Sequence, residues 1–373
     1  MKQSGQNRCA RLRMQAMQCL QQGRFEHARK LLEELCVLQA DDADSWFLLG
    51  ALYGQAGQMI QAIRCSERAL ALNPGHVDAA SNLGQAYRRV GRYADAERCF
   101  RIVVAARPQL AEAYDMLGYV LQEQGRREAA IECYRKALEI KPELEGTAYL
   151  LAALLGGEEA PERAPEIYVR GLFDGFADHF EATLVGELGY TPRHIRTALE
   201  RVLPPKSGGL RVLDLGCGTG LSGLELQDFV RELVGVDLSP RMLERARDKG
   251  LYDRLEEADI IGFLRSETRH WDLIVAADVF VYFGELEEVF GLIVERLEPG
   301  GLFAFSVEEL DSEDKEYCLR PTNRYAHSAA GIERRARASG MEILSCDAVR
   351  LRKQKGEDVA GLVYLLRAPG QDG

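Results

Sequence analysis

Glycine recurs at 23, 57, 91 and 125, always 34 residues apart. Alanine keeps the same interval at 28, 62, 96 and 130, and further positions follow in phase. Trp46, Ala80 and Tyr114 share one phase; Leu49-Gly50, Leu83-Gly84 and Leu117-Gly118 share another; Ala69, Val103 and Ala137 a third. Pro74, Pro108 and Pro142 close each unit, since proline cannot continue a helix. A period of this length means one supersecondary unit copied along the chain. One unit cannot bury its own apolar face, so neighbours must stack. Small residues at Gly50 with Ala62, and Gly84 with Ala96, allow two helices to approach closely. Cys65, Cys99 and Cys133 obey the same spacing, which marks them as small buried residues. Nine cysteines without a Cys-x-x-Cys pair argue against a disulfide framework and against zinc, and no metal site is expected.

Across roughly residues 9–144 this pattern resembles the tetratricopeptide repeat. The resemblance implies about four helix pairs over residues 1–155, with Glu145 to Leu155 as a capping helix. It also implies a concave groove for a peptide or protein partner; a structural or self-association role stays open.

At 373 residues the chain has room for two or three domains. A net charge of −11 disfavours broad binding to nucleic acid or to an anionic membrane. No apolar run approaches the ~20 residues of a membrane span, and the N-terminus lacks an apolar signal core, so a cytoplasmic location is expected. The oligomeric state is left open. Gly156 to Pro165, rich in glycine, proline and charge, marks a boundary, with a linker expected over residues 156–167. Beyond it, Phe173, Phe176 and Phe180 fall at helical spacing with Leu172. That segment, residues 168–190, reads either as a helix packed on the next domain or as a lid that covers a ligand and excludes water.

The second constraining stretch is Leu210-Arg-Val-Leu-Asp-Leu-Gly-Cys-Gly-Thr-Gly220. An apolar run that breaks into alternate glycines reads as strand, tight turn and helix, and the missing Cβ atoms let a ligand approach the backbone. About 20 residues on, Leu233-Val-Gly-Val236 ends in Asp237, where a carboxylate can accept both hydroxyls of a ribose. The spacing is G-x-G-x-G, not the dinucleotide G-x-G-x-x-G, and Asp214 stands at the mouth of the turn. An acid there repels a pyrophosphate and suits an ammonium group. S-adenosylmethionine carries an amino group, a sulfonium, a ribose and an adenine, with no phosphate. Leu238 and Met242 would offer apolar surface to adenine, and Asp259 would accept from its amino group or cap a helix. Strands at Trp271–Phe280 and Leu302–Val307 and a last hairpin (341–351, 359–366) complete an α/β, doubly wound pattern.

Residues 168–368 resemble the class I S-adenosylmethionine-dependent methyltransferases, through VLDLGCGTG (212–220), VDLS (236–239), ADI (258–260), WDLIVAADVF (271–280) and EPGGLFAFS (298–306), which sets the domain at residues 168–373. The whole chain is similar to bacterial methyltransferases with N-terminal tetratricopeptide repeats, as are LFDGFADHF (172–180) and NRYAHS (323–328). The resemblance implies a Rossmann-like, seven-stranded sheet with an antiparallel last hairpin behind an all-α solenoid. It implies that Asp214 with Gly216, Gly218 and Ala277 holds the methionine end, Asp237 the ribose, and Asp259 with Ile260 the adenine edge; Cys217 and Gly220 complete the turn. The fourth motif lacks the Asn/Asp-Pro-Pro-Tyr pattern of nucleic-acid amino methyltransferases, which further disfavours DNA or RNA as acceptor.

Methyl transfer from a sulfonium is a displacement in which alignment alone can supply ~7–11 kcal/mol. A general base is needed only where the acceptor must lose a proton. Asp278, Tyr282, Glu308, Tyr325 and His327 fall in loops at the sheet's upper edge, and His327 is the first choice as base because a histidine titrates near neutrality. Glu308 would orient an acceptor. The expected function is a methyltransferase whose repeats recruit a substrate or partner, with two alternatives: a small-molecule methyltransferase that uses the repeats for assembly, or a non-catalytic scaffold that senses the cofactor.

Overall fold

A computed structural model describes residues 2–156, 160–177, 180–183, 191–204, 208–312, 314–354 and 356–370. The chain divides into two compact units, Met1–Leu151 and Ala152–Gly373. In the first unit the helices pair as Lys2–Gln21 with Phe25–Leu38, Ala43–Gln55 with Met59–Leu72, Val77–Arg89 with Tyr93–Ala106, and Ala111–Glu123 with Arg127–Ile140; Glu145–Leu155 follows. The four period glycines turn each pair with φ between +71° and +75°, a region that side chains with a Cβ rarely enter. The close approach within a pair is tighter than alanine spacing foretold. A Cβ on Gly84 would stand 2.8 Å from the Phe100 ring, and one on Gly118 would stand 2.7 Å from Tyr134. Each glycine therefore receives a large ring of the second helix. The cysteines in phase are free thiols; Cys65 and Cys99 are buried, and Cys133 is partly so.

The second unit is a mixed sheet of β1 (Leu210–Leu215), β2 (Val230–Asp237), β3 (Arg254–Glu257), β4 (Trp271–Ala276), β5 (Leu297–Glu309), β6 (Tyr317–Leu319), β7 (Tyr325–His327), β8 (Glu342–Gln354) and β9 (Glu357–Arg367). The order β3-β2-β1-β4-β5 is parallel throughout, and β9 joins β5 antiparallel with β8 outside it. That much is the expected doubly wound sheet with its antiparallel last hairpin. The count of seven strands is corrected to nine among the described residues, because a short hairpin, β6–β7, is inserted between β5 and β8. Glu308 of β5 pairs with Gly361 of β9 and also with Ala326 of β7. The hairpin therefore occupies the edge of β5 that β4, whose pairing ends at Ala276–Phe305, has left.

Ile195, Ala198 and Leu199 of one helix pack on Val212, Leu273, Ala304 and Leu365 on one face of the sheet. On the other face Phe280, Phe290, Phe303 and Phe305 make a ring cluster with centroids 4.6–6.1 Å apart. Burial of this apolar surface on both faces explains why the strands read as continuous apolar runs. Among the described residues, no helix is long and apolar enough to cross a membrane.

Candidate active site

A cleft opens at the carboxyl ends of β1, β2, β3 and β4, where a parallel sheet places its ligands. It holds about 1280 Å³ of empty space including its open mouth, ample for a nucleoside-sized ligand. Of the residues the sequence offers for a cofactor, Gly216, Cys217, Gly218, Asp237, Leu238, Asp259, Ile260 and Ala277 line it. Gly216 and Gly218 bend the chain at φ +66° and +53°. A Cβ on Gly216 would lie 2.5 Å from Val279, so the bend has no room for a side chain.

Asp237 is held open to the cleft by main-chain donors. Gly218 N–H donates to its Oδ2 and Ser239 N–H to its Oδ1, each at 2.8 Å. Burial pushes the Asp237 carboxyl up to about 6, with those two amides pulling the other way. Ser239 caps the helix Pro240–Asp248, accepting from Met242 N–H, and donates to Asp174 Oδ1 at 2.5 Å.

Three predicted cofactor residues stand behind the lining. Asp214 is fully buried; it accepts from the Tyr252 hydroxyl at 2.7 Å, and its Oδ1 has no partner among the described residues. Burial drives its carboxyl up to about 7. Gly220 starts the helix Leu221–Leu226 against Tyr252 and Ala246. Met242 is fully buried, and it supports the lining without forming it.

Asp259 does two jobs at once. Its Oδ2 accepts from Gly262 N–H at 2.8 Å as a helix cap, and its Oδ1 accepts from Arg163 at 3.1 Å. Arg163 comes from the stretch expected as linker, yet that stretch is bonded along the 280–285 loop. Ala164 N–H donates to the Tyr282 carbonyl at 2.8 Å, and Gly284 N–H donates to Glu162 at 2.7 Å. The Tyr325 hydroxyl donates to the Pro161 carbonyl. Residues 160–165 thus form a strap across one side of the cleft. Phe173 and Phe180 line the cleft, Phe173 meeting Tyr282 edge-on at 5.6 Å, whereas Phe176 is 47% exposed. Of the expected lid and entry helix, residues 178–179 and 184–190 lie outside the described residues.

The three predicted catalytic residues are not in the lining. His327 is buried, with Nε2 2.9 Å from the Phe283 carbonyl and 3.2 Å from that of Phe280. Burial lowers its imidazole to about 4, so it is neutral at pH 7 and donates one proton to a carbonyl. It fastens the loop after β4 to β7. Tyr325 is fully buried and holds the strap. Glu308 is buried in ion pairs with Arg352 and Arg320. His327 and Tyr325 lie within the inserted hairpin and Glu308 beside it, all three buried away from the lining, and the sequence did not reveal that hairpin.

That hairpin and β8 bring residues that sequence reasoning missed. Arg324, one residue before β7, and Arg352, on β8, both line the cleft beside Asp278 and Tyr282. Arg352 bonds Asp278 at 3.1 Å and also Glu308. Its inward placement comes from a bulge: Arg350 pairs with Ala360 and Arg352 with Val359, so Leu351 is an extra residue. Leu351 and Arg352 are consecutive and both buried, at the point where the bulge shifts the register. Asp278 itself sits at φ +59° with its N–H on Ser306 Oγ, a conformation that costs about 1–3 kcal/mol and is typical of functional sites.

Residues 188–345 match a family model described as a methyltransferase domain. Residues 34–147 match one described as the cytochrome c-type biogenesis protein H TPR domain. The chain carries a methyltransferase domain behind tetratricopeptide repeats. Methyltransferase-like protein 27 of Homo sapiens is 36% identical over 97 residues, 26% of this chain and 38% of that protein. Malonyl-acyl-carrier-protein O-methyltransferase of Pectobacterium atrosepticum is 33% identical over 113 residues, 30% of this chain and 44% of that protein. The chain spans less than half the length of these two curated relatives. A crystal structure of an S-adenosylmethionine-dependent methyltransferase from Clostridium acetobutylicum is similar over 52% of this chain and 98% of its own, at 20% identity and a TM-score of 0.39.

The methyltransferase domain implies S-adenosylmethionine as cofactor, and the residues present fit it. Carboxylates stand at the glycine bend, Asp237 in the lining and the half-satisfied Asp214 behind it, and the cation on the bend, Lys249 at the Thr219 carbonyl, is paired with Glu181. A pyrophosphate would be repelled there; a ribose and an ammonium would be held.

Proposed function

We propose that this chain is an S-adenosylmethionine-dependent methyltransferase whose repeats recruit a peptide or protein, as substrate or as partner. The observation that carries the reading is Asp237, fixed by two main-chain amides at the tip of β2 beside the glycine bend, with its carboxylate in the cleft. Asp237 would take the ribose hydroxyls, Ile260 and Leu238 the adenine faces, and Asp259 its amino edge, in competition with Arg163. Gly216, Gly218 and Ala277 would border the methionine end. When bound, the cofactor supplies a methyl group already activated on a positive sulfur. The chain's own part is to align and to keep water out. Phe173, Phe180, Val169 and Tyr282 supply the apolar walls for that purpose. Residues 1–155 are proposed as the recruiting array, residues 156–167 as the connection and residues 168–373 as the transferase.

Calorimetry with S-adenosylhomocysteine tests the reading. Micromolar binding that disappears in Asp237→Ala supports it, and unchanged affinity in that variant refutes the ribose assignment. A preference for NADH or ATP would end the proposal altogether.

A further inference from the structure

The cleft is electrically divided. At the tips of β2 and β3 its lining carries Asp237 and Asp259, with Arg163 on the strap. On the side of β4, β7 and β8 it carries Arg324 and Arg352 against a single acid, Asp278. The nucleoside belongs at the first end, so the acceptor belongs at the second. Both arginines reach that end through additions to the doubly wound sheet: the β6–β7 hairpin delivers Arg324, and the bulge at Leu351 turns Arg352 inward. Arg352 is 4% exposed, and its Nε has no partner among the described residues. It already grips two carboxylates, those of Asp278 and Glu308. Arg324 faces Asp278 and the Tyr282 hydroxyl.

A second observation points the same way. None of the acids in the lining is left as a ready base. Asp237 is bound by two amides, Asp259 by an amide and Arg163, Asp278 by Arg352, and Glu166 faces Arg163 at 3.6 Å. His327 lies outside the lining. An acceptor that must shed a proton finds no positioned group to take it. A carboxylate is already ionised at neutral pH and needs none.

We infer that the acceptor is an organic acid whose carboxylate is received between Arg324 and Arg352 and is itself the methylated group. The inference rests on the transferase reading above. One carboxylate oxygen forms the new bond to the methyl carbon of the sulfonium donor. The sulfur–methyl bond breaks with its electron pair going to sulfur, leaving a neutral thioether and a methyl ester; no proton is released. With Arg320, which also pairs with Glu308, three guanidinium groups face Asp278 and Glu308, and the one positive charge left over matches a carboxylate. A phosphate dianion would stand beside Asp278 and Glu308 with one charge uncompensated. Guanidinium groups suit the task because their planar forks match a carboxylate.

The test is to incubate the full-length protein with tritiated methyl donor and fractionated cell extract, then treat the products with mild alkali. A methyl ester releases volatile tritiated methanol, whereas methyl on nitrogen, carbon, sulfur or an ether oxygen stays in place. The expected result is volatile label, reduced at least tenfold in Arg324→Gln and in Arg352→Gln, with S-adenosylhomocysteine affinity kept within twofold. Arg324→Gln is the safer variant, since Arg352 is tied to buried Glu308. A second readout needs no turnover: in protein saturated with S-adenosylhomocysteine, hexanoate should bind calorimetrically, more tightly than hexanamide, and Arg324→Gln should erase the difference. Alkali-stable label overturns the inference and leaves the transferase reading standing. Volatile label indifferent to both substitutions, or equal binding of hexanoate and hexanamide, overturns the arginine assignment. No label at all, with S-adenosylhomocysteine still bound, overturns the transferase reading and this inference with it.

Discussion

The two ends of the cleft are built in different ways. At the nucleoside end much of the placement is local: Asp237 by Ser239 two residues on and by Gly218 nineteen residues before it, Asp259 by Gly262 three residues on, with Arg163 its one distant partner among these. At the arginine end each group is placed from far away. Arg352 meets Asp278 across 74 residues of chain and Glu308 across 44. Arg324 depends on β7 finding β5. Local construction keeps a motif readable, whereas remote construction leaves no short-range trace.

The largest test of that contrast is Asp237→Ala. Two charge-assisted hydrogen bonds to a ribose are lost, so S-adenosylhomocysteine affinity should fall ~100-fold or more by calorimetry. Thermal stability should barely move, since the partners are local amides that water can satisfy.

Gly361→Ala strikes the other end without touching either arginine. A Cβ there would run into Leu351, the bulged residue, and would stand 2.6 Å from the Val307 carbonyl. Forcing the bulge apart should cost ~1–3 kcal/mol in urea unfolding. Methyl transfer should fall with it, while S-adenosylhomocysteine affinity stays within about threefold, because no nucleoside-end group is moved. Equal loss of both functions would erase the contrast.

His327→Gln separates a fastening role from a catalytic one. It loosens the bond to the Phe283 carbonyl, and a buried carbonyl left unsatisfied costs ~1–3 kcal/mol. The folded histidine titrates at about 4, down from an ordinary 6.5. Between those values the unfolded chain binds a proton that the folded chain refuses. Stability therefore falls as pH drops from 6.5 toward 4, and the variant should lose that part of the fall. A turnover profile with an inflection near 6.5 that vanishes in the variant would restore His327 as a base.

The smallest effect is a pH dependence at the nucleoside end. Asp237 and Asp214 are raised to about 6 and about 7, so the empty cleft holds protons there that a cationic, hydrogen-bonding ligand displaces. Affinity for S-adenosylmethionine should rise several-fold from pH 5 to 7.5, with proton release visible when the binding heat is compared in buffers of different ionisation enthalpy. Flat affinity across that range would place the amino and ribose groups elsewhere.

Much of this protein was written in short stretches of sequence. The 34-residue phases determined the helix pairs, because each unit repeats the same small and apolar positions, although not that Phe100 and Tyr134 would be the groups their glycines receive. The glycine bend, Asp237 and Ser239 were legible because turn, acid and cap follow one another within a few residues of a strand end. Arg163, Arg324 and Arg352 were not, and neither was the enclosure of His327. Those depend on which edge of β5 stayed open, on one extra residue in β8, and on a strap that docks where a linker was expected. Pairings between strands tens of residues apart leave no periodic trace, since either register would keep the same apolar pattern. Only the packed sheet decided them.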